Sequence, residues 1–164
     1  MLAATALAQK PFSEGVITYR VKLGSADQSS FSGTYTFTIK GNQLKKELEL
    51  SNGYRDIILI NGNDNTTYSL TTVNGVKYAI QLSMADMQHR QDRFRGFAIC
   101  DEVAGASLSG FKTFKARVKY KDGSGGDIRL TKEWSPVLPN TYERFPDAKF
   151  LPLAYGYQND NGMN

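Results

Sequence analysis

Apolar and polar residues alternate with period two through most of the chain. In FSGTYTFTIKG, Tyr35, Phe37 and Ile39 share one side while Thr34, Thr36, Thr38 and Lys40 take the other, as a half-buried strand requires. The next stretch, GNQLKKELELSNG, sets Leu44, Leu48 and Leu50 against Lys45, Glu47 and Glu49, and Gly41-Asn42 ahead of it is a hairpin-turn dipeptide. The pattern recurs in GVITYRVKL (15–23), YRDIILIN (54–61), NTTYSLTT (65–72) and VKYAIQLS (76–83), punctuated by Gly53, Gly62 and Asn74-Gly75. Six short strands joined by tight turns predict an antiparallel meander.

The period then becomes helical. In SMADMQHRQDRFRG, Ser83 is placed to cap a helix, Asp86 follows three residues later, Met84, Met87, Gln91 and Phe94 stack along one face, and Gly96 is the stop. Strands resume in FAICDEVA (97–104), GFKTFKARVKYKDG (110–123) and DIRLTKEW (127–134). The C-terminal SPVLPNTYERFPDAKFLPLAYGY holds four of the five prolines, which predicts irregular chain, one helical turn near Tyr142 to Arg144 and a last strand around Leu153 to Tyr157. The fold class expected is mainly β, a single domain over residues 9–164: one curved antiparallel sheet of nine or ten strands, an unclosed half-barrel with a short helix on its concave side. So small a helix covers only part of such a face and leaves an apolar groove, the kind of place where β-barrels hold ligands.

The first eight residues, MLAATALA, carry no charge, whereas the chain has 20 Lys and Arg against 16 Asp and Glu among 164 residues. Ala6-Leu7-Ala8 fits the small-x-small rule of a secretory cleavage site, which makes residues 1–8 a signal-peptide remnant and Gln9 the first mature residue. A frayed apolar N-terminus is the alternative, because no basic region precedes the run. Lipidation would need a cysteine directly after the cut, so the mature protein is expected to be periplasmic, soluble and not lipid-anchored. No later window approaches the roughly 18 to 20 apolar residues of a transmembrane span. The one cysteine, Cys100, excludes an intramolecular disulfide and is expected to be buried, alternating with Ala98 in an apolar strand. A net charge of +4, dispersed along the chain, is too weak to indicate nucleic acid.

Catalytic signatures fail one by one. The single histidine, His89, falls on the polar side of the helix with no nucleophile local to it. One His and one Cys cannot supply a conventional zinc site. NGNDN (61–65) lacks the spaced acidic continuation of a calcium loop and reads as a hairpin turn. KDGSGGD (121–127) joins two antiparallel strands, whereas a phosphate-cradling loop needs a helix after it. No enzyme, metal or cofactor is therefore expected. Lys115, Arg117, Lys119 and Lys121 alternate with Phe114, Ala116, Val118 and Tyr120 and so form a basic surface, either a solvated face that discourages edge pairing or one attracted to anionic headgroups or another acidic surface. Of nine Tyr, nine Phe and one Trp, Tyr19, Tyr35, Phe37, Tyr68, Tyr78 and Phe114 are expected to alternate inward. The candidate lining of the apolar groove is Tyr35, Phe37, Leu48, Tyr68, Met84, Met87, Phe94 and Trp134, with the two methionines suited to an adaptable surface.

Gly15, Ile17 and Tyr19 in EGVITYRV, the meander through GNQLKKELEL, the long strand SGFKTFKARVKYKDG and Pro152, Leu153 and Tyr155 in FLPLAYGY together give a chain that resembles the GLPGLI-like periplasmic domains of unknown function grouped with the LolA/LolB-like lipoprotein-carrier superfamily. The resemblance covers residues 12–157 as an order of elements. It implies an unclosed half-barrel with helical segments on its concave side, in a superfamily whose characterised members carry acyl chains across the periplasm. Relatives usually continue into another strand after the terminal motif, which implies truncation at the C-terminus. The expected function is a non-enzymatic binder or carrier of an apolar or acylated ligand. The alternative is a cell-envelope scaffold or protein-interaction module with a filled core; oligomeric state is left open.

Overall fold

The computed structural model describes residues 9–24, 30–73, 75–138 and 141–156. The proposed leader at 1–8, Asn74 and Tyr157 lie outside the described residues. The elements in chain order are β1 (Lys10–Phe12), β2 (Glu14–Gly24), β3 (Ser30–Lys40), β4 (Gln43–Leu50), β5 (Arg55–Asn61), β6 (Thr66–Val73), β7 (Val76–Leu82), α1 (Met84–Asp92), β8 (Ala98–Leu108), β9 (Phe111–Lys119), β10 (Gly125–Thr131), β11 (Trp134–Pro136) and β12 (Leu151–Tyr155). The predicted mainly-β class holds: antiparallel sheets, not closed into a barrel, carry the fold with one short helix.

The meander is present as a six-stranded sheet in sequence order β2 to β7. Two of its hairpins use the expected turns. Gly41 adopts φ +56 between β3 and β4, and Asn65 adopts φ +56 within the NGNDN turn, where Asp64 accepts from the Thr66 amide at 3.0 Å. The expectation of a single continuous sheet is not met. After β7 the chain leaves the sheet through α1, and β8 opens a second, four-stranded sheet of order β12-β10-β9-β8. A third pairing, β1 beside β11, is parallel, with Lys10 opposite Trp134 and Phe12 opposite Pro136. Each of these two strands has three residues and a proline, too short for alternation to reveal it.

The inner faces follow from the alternation. Phe37, Ile39 and Leu44 of the first sheet are buried, as are Ala116, Val118, Ile128 and Leu130 of the second. The Pro-rich segment adds Leu138, Tyr142, Phe145, Ala148 and Phe150 to this core, which Phe94, Tyr120 and Leu151 complete. The helical turn predicted at 142–144 does not form. The segment makes successive tight turns in which the Phe145 amide donates to Tyr142 O and the Ala148 amide to Phe145 O, both at 3.1 Å. Pro146 has no N–H with which to continue a helix. Ring contacts then tie the layers together: Phe145 meets Tyr155 at 5.1 Å and Phe150 at 5.7 Å edge-to-face, and Tyr142 lies tilted 5.2 Å from Phe37.

Ser83 caps α1 as expected, its hydroxyl accepting from the Asp86 amide at 3.1 Å and donating to the Asp86 carboxylate at 2.6 Å. The helix ends at Asp92, and a turn carries the chain through Gly96. Cys100 corrects the strand phase predicted for β8. Ile99, opposite Val118, packs against the core, while Cys100 stands opposite Arg117 and is only half-buried. Four apolar residues in a row, FAIC, offer no alternation from which to choose the phase; the partner strand chooses it.

Candidate functional site

Strands β5, β6 and β7 extend the first sheet beyond the part that the C-terminal segment covers. Register places Ile58 opposite Ser69 and Ser69 opposite Ile80 on one row, with Ile60, Thr67 and Leu82 on the next. Thr71 and Tyr78 form a third pair on the same face. Because side chains alternate, this is the face that carries Phe37 and Leu44. The middle strand contributes Thr67, Ser69 and Thr71 as a low floor, and the flanking strands contribute the larger Ile58, Ile60, Tyr78, Ile80 and Leu82 as walls. The result is a trough along β6, about 10 Å between flanking strands at the usual spacing. At its Thr67 end it is covered, with Thr67 only 5% exposed; farther on, Tyr78 is 47% and Ile80 51% exposed.

Of the residues expected to line a groove, Tyr35 and Leu48 are opposite one another on this inner face, both half-buried. Phe37 shares the face but is 1% exposed, filled over by Tyr142, Tyr19 and Tyr35, so the predicted groove is closed at that position. Tyr68 points the other way. It stands opposite Leu59 on the outer face and is exposed, because β6 turns its Ser and Thr inward and its Tyr68 and Leu70 outward, against the simple amphipathic expectation. Phe94 is core, its ring 5.2 Å from Tyr120 with the Arg93 guanidinium 4.8 Å above it. Met87 is half-buried, but Met84 is exposed and lines no covered groove. Trp134 belongs to β11, where it packs edge-to-face on Phe12 at 5.9 Å.

The sequence also missed a set of polar groups beside the trough. Lys46 lies on the inner face between Phe37 and Ile58, 7% exposed, its Nζ 5.8 Å from the Phe37 ring. Burial pushes its ammonium down to about 8, against the pull of Glu143. Its parity between Leu44 and Leu48 was the available signal, masked by the run KKE. On the neighbouring strand, burial raises the Asp56 carboxyl, partly offset by the charge of Arg90 of α1. Burial likewise raises Tyr35, reinforced by Tyr155 and Glu143. The Tyr19 hydroxyl donates to Pro152 O at 2.8 Å and meets the Tyr142 hydroxyl at 2.7 Å. Chemically, this set places a buried cation and several phenols beside an apolar channel.

On the second sheet, Lys115, Arg117 and Lys119 are exposed on the outer face of β9, with Ala116 and Val118 buried behind them, as the alternation predicts. Lys121 is exposed just past the strand, its stem against Gly96. His89 is exposed on α1, and KDGSGGD forms the expected antiparallel turn, with the Tyr120 amide donating to Ser124 O at 2.9 Å. Among the described residues no helix is long and apolar enough to cross a membrane. No family model matches the chain, and no curated protein or solved structure is significantly similar to it.

Proposed function

We propose that the protein is an exported, non-enzymatic binder of an apolar or acylated ligand, whose chain lies along the β6 trough. The observation that carries this reading is the Ser69 floor between Ile58 and Ile80, a low strip walled by large apolar side chains that are half-buried or exposed. A row of such groups on a soluble surface marks a contact site. The resemblance to lipoprotein carriers and the Ala6-Leu7-Ala8 motif support a periplasmic setting. Native mass spectrometry of the purified protein tests the reading: a copurifying amphiphile, or one added fatty acid per chain after delipidation, is expected, and a protein that stays ligand-free in both experiments contradicts it.

A second reading, an envelope scaffold, draws on the filled interior, where Phe37 is 1%, Phe145 2% and Leu130 0% exposed. In that reading Tyr78 and Ile80, on a strand at the sheet edge among the described residues, meet a protein partner. Exchange protection of the β7 amides by a partner protein, with no response to fatty acid, distinguishes it.

A further inference from the structure

The outer face of the second sheet holds an open cleft of about 610 Å³, large enough for a small molecule and remote in the topology from the β6 trough. Its wall carries two cations in direct register, Lys115 on β9 and Arg129 on β10. Like charges directly opposite on a sheet repel at a Cβ separation of about 5 Å. Neither makes an ion pair with any described residue. Arg117, one row along, is met by Asp127 at 3.8 Å, a long contact to a side chain that is 92% exposed. Asp101 lines the cleft from β8, where its φ of +55 marks the irregular stretch between Cys100 and Val103. Across the sheet, Ala154 and Gly156 keep the cleft clear at the β12 side.

We propose that this cleft binds a phosphate-class anion, held between the Lys115 ammonium and the Arg129 guanidinium. Three cations face two carboxylates, and one carboxylate is already engaged by Arg117. An anion between Lys115 and Arg129 converts a cross-strand repulsion into two charge-assisted contacts. Phosphate suits them better than a single carboxylate, because it spreads up to two charges over several acceptor oxygens at neutral pH. The cleft exceeds the volume of the anion alone, so the physiological ligand carries the phosphate on a larger body, either a soluble phosphomonoester or a lipid headgroup.

The test compares wild-type protein with Lys115→Gln, Arg129→Gln and the double variant. Lys119→Gln is the control: this exposed lysine lies on the same strand, outside the cleft lining. At low ionic strength, inorganic phosphate and glycerol phosphate are titrated while the amide resonances of β9, β10 and Gly156 are followed, and sedimentation with phosphatidylglycerol vesicles is run in parallel. Saturable shifts around residues 115 and 129, with affinity about tenfold or more weaker in the double variant and unchanged in the control, support a soluble source. Vesicle binding that depends on the same pair, without shifts from free phosphate, supports the headgroup. A second readout is thermal unfolding: phosphate raises the midpoint of the wild type but not of the double variant. Loss of binding that is equal for Lys119→Gln and Arg129→Gln, or no binding in either arm, overturns the proposal.

Discussion

The hydroxyls of Tyr19 and Tyr142 lie 2.7 Å apart, and Tyr19 spends its only proton on Pro152 O at 2.8 Å. Tyr142 must therefore be the donor of the pair, which fixes a directed chain Tyr142 to Tyr19 to Pro152 linking the C-terminal segment, β2 and β12. The ends of the protein's first sheet and last strand are joined by two protons in the core.

The direction of that chain predicts an asymmetry. Tyr19→Phe removes the middle member, leaving Pro152 O without its donor and the Tyr142 hydroxyl without its acceptor, and should cost about 2–3 kcal/mol. Tyr142→Phe removes only a donor and should cost about 1 kcal/mol. Urea midpoints of the two variants measure this; equal losses would contradict the assigned direction.

Lys46 makes stability rise with pH over a defined window. Folding lowers its pKa from 10.5 to about 8, so below about pH 8 both states are charged and the burial cost is fully felt. Between about 8 and 10 the unfolded chain holds a proton that the folded chain has lost, and stability gains up to about 1.4 kcal/mol per pH unit. Above pH 10 the raised phenols of Tyr19, Tyr35 and Tyr142 act in the opposite sense, since unfolded tyrosines ionise first. Denaturation of wild type and Lys46→Met at pH 7, 8, 9 and 10 should show the rise in the wild type alone.

The phase of β8 predicts that Ile99→Ala costs about 2–4 kcal/mol, as for a side chain packed on a core. Cys100→Ala, on the Arg117 face with its thiol donating to Arg117 O at 3.3 Å, should cost about 1 kcal/mol or less. Alkylation of Cys100 should proceed in the folded protein, faster than a core thiol allows. Thermal midpoints that reverse this order would restore the buried-cysteine phase.

The helix and the turn that follows it divide in the same manner. Phe94→Ala should cost about 3–5 kcal/mol because its ring fills the site between Tyr120, Arg93 and Arg144. Met84→Ala, at an exposed first turn, should stay within about 0.5 kcal/mol. Comparable losses at both positions would show that the first turn of the helix is packed as tightly as Phe94.

Alternation and turn chemistry carried the meander, where GN, NG and clean period-two runs bound each strand to within a residue or two. They failed where those signals are weak. FAIC has no alternation, TTYSLTT alternates with its larger residues outward, and the three-residue β1 and β11 are too short to repeat. The site residues suffered the same limits. Tyr35 and Leu48 were found by parity, whereas Tyr68 was assigned to the wrong face for looking apolar. Lys46 was passed over for being charged, although it sits at an inward position. The trough itself depends on which residues of three strands share a row, and register is a tertiary property that no single strand encodes.

The most direct test of the binding account is titration of delipidated protein with a fluorescent fatty acid, comparing wild type with Ile80→Ser, Tyr78→Ser and the outer-face control Tyr68→Ser. Ile80 and Tyr78 are about half exposed, so their replacement should leave the unfolding midpoint nearly unchanged. The account predicts saturable binding by wild type and Tyr68→Ser, and affinity about tenfold weaker in Ile80→Ser and Tyr78→Ser from the loss of roughly 1–2 kcal/mol of apolar contact. Equal affinity in all four proteins, or none in the wild type, would contradict it.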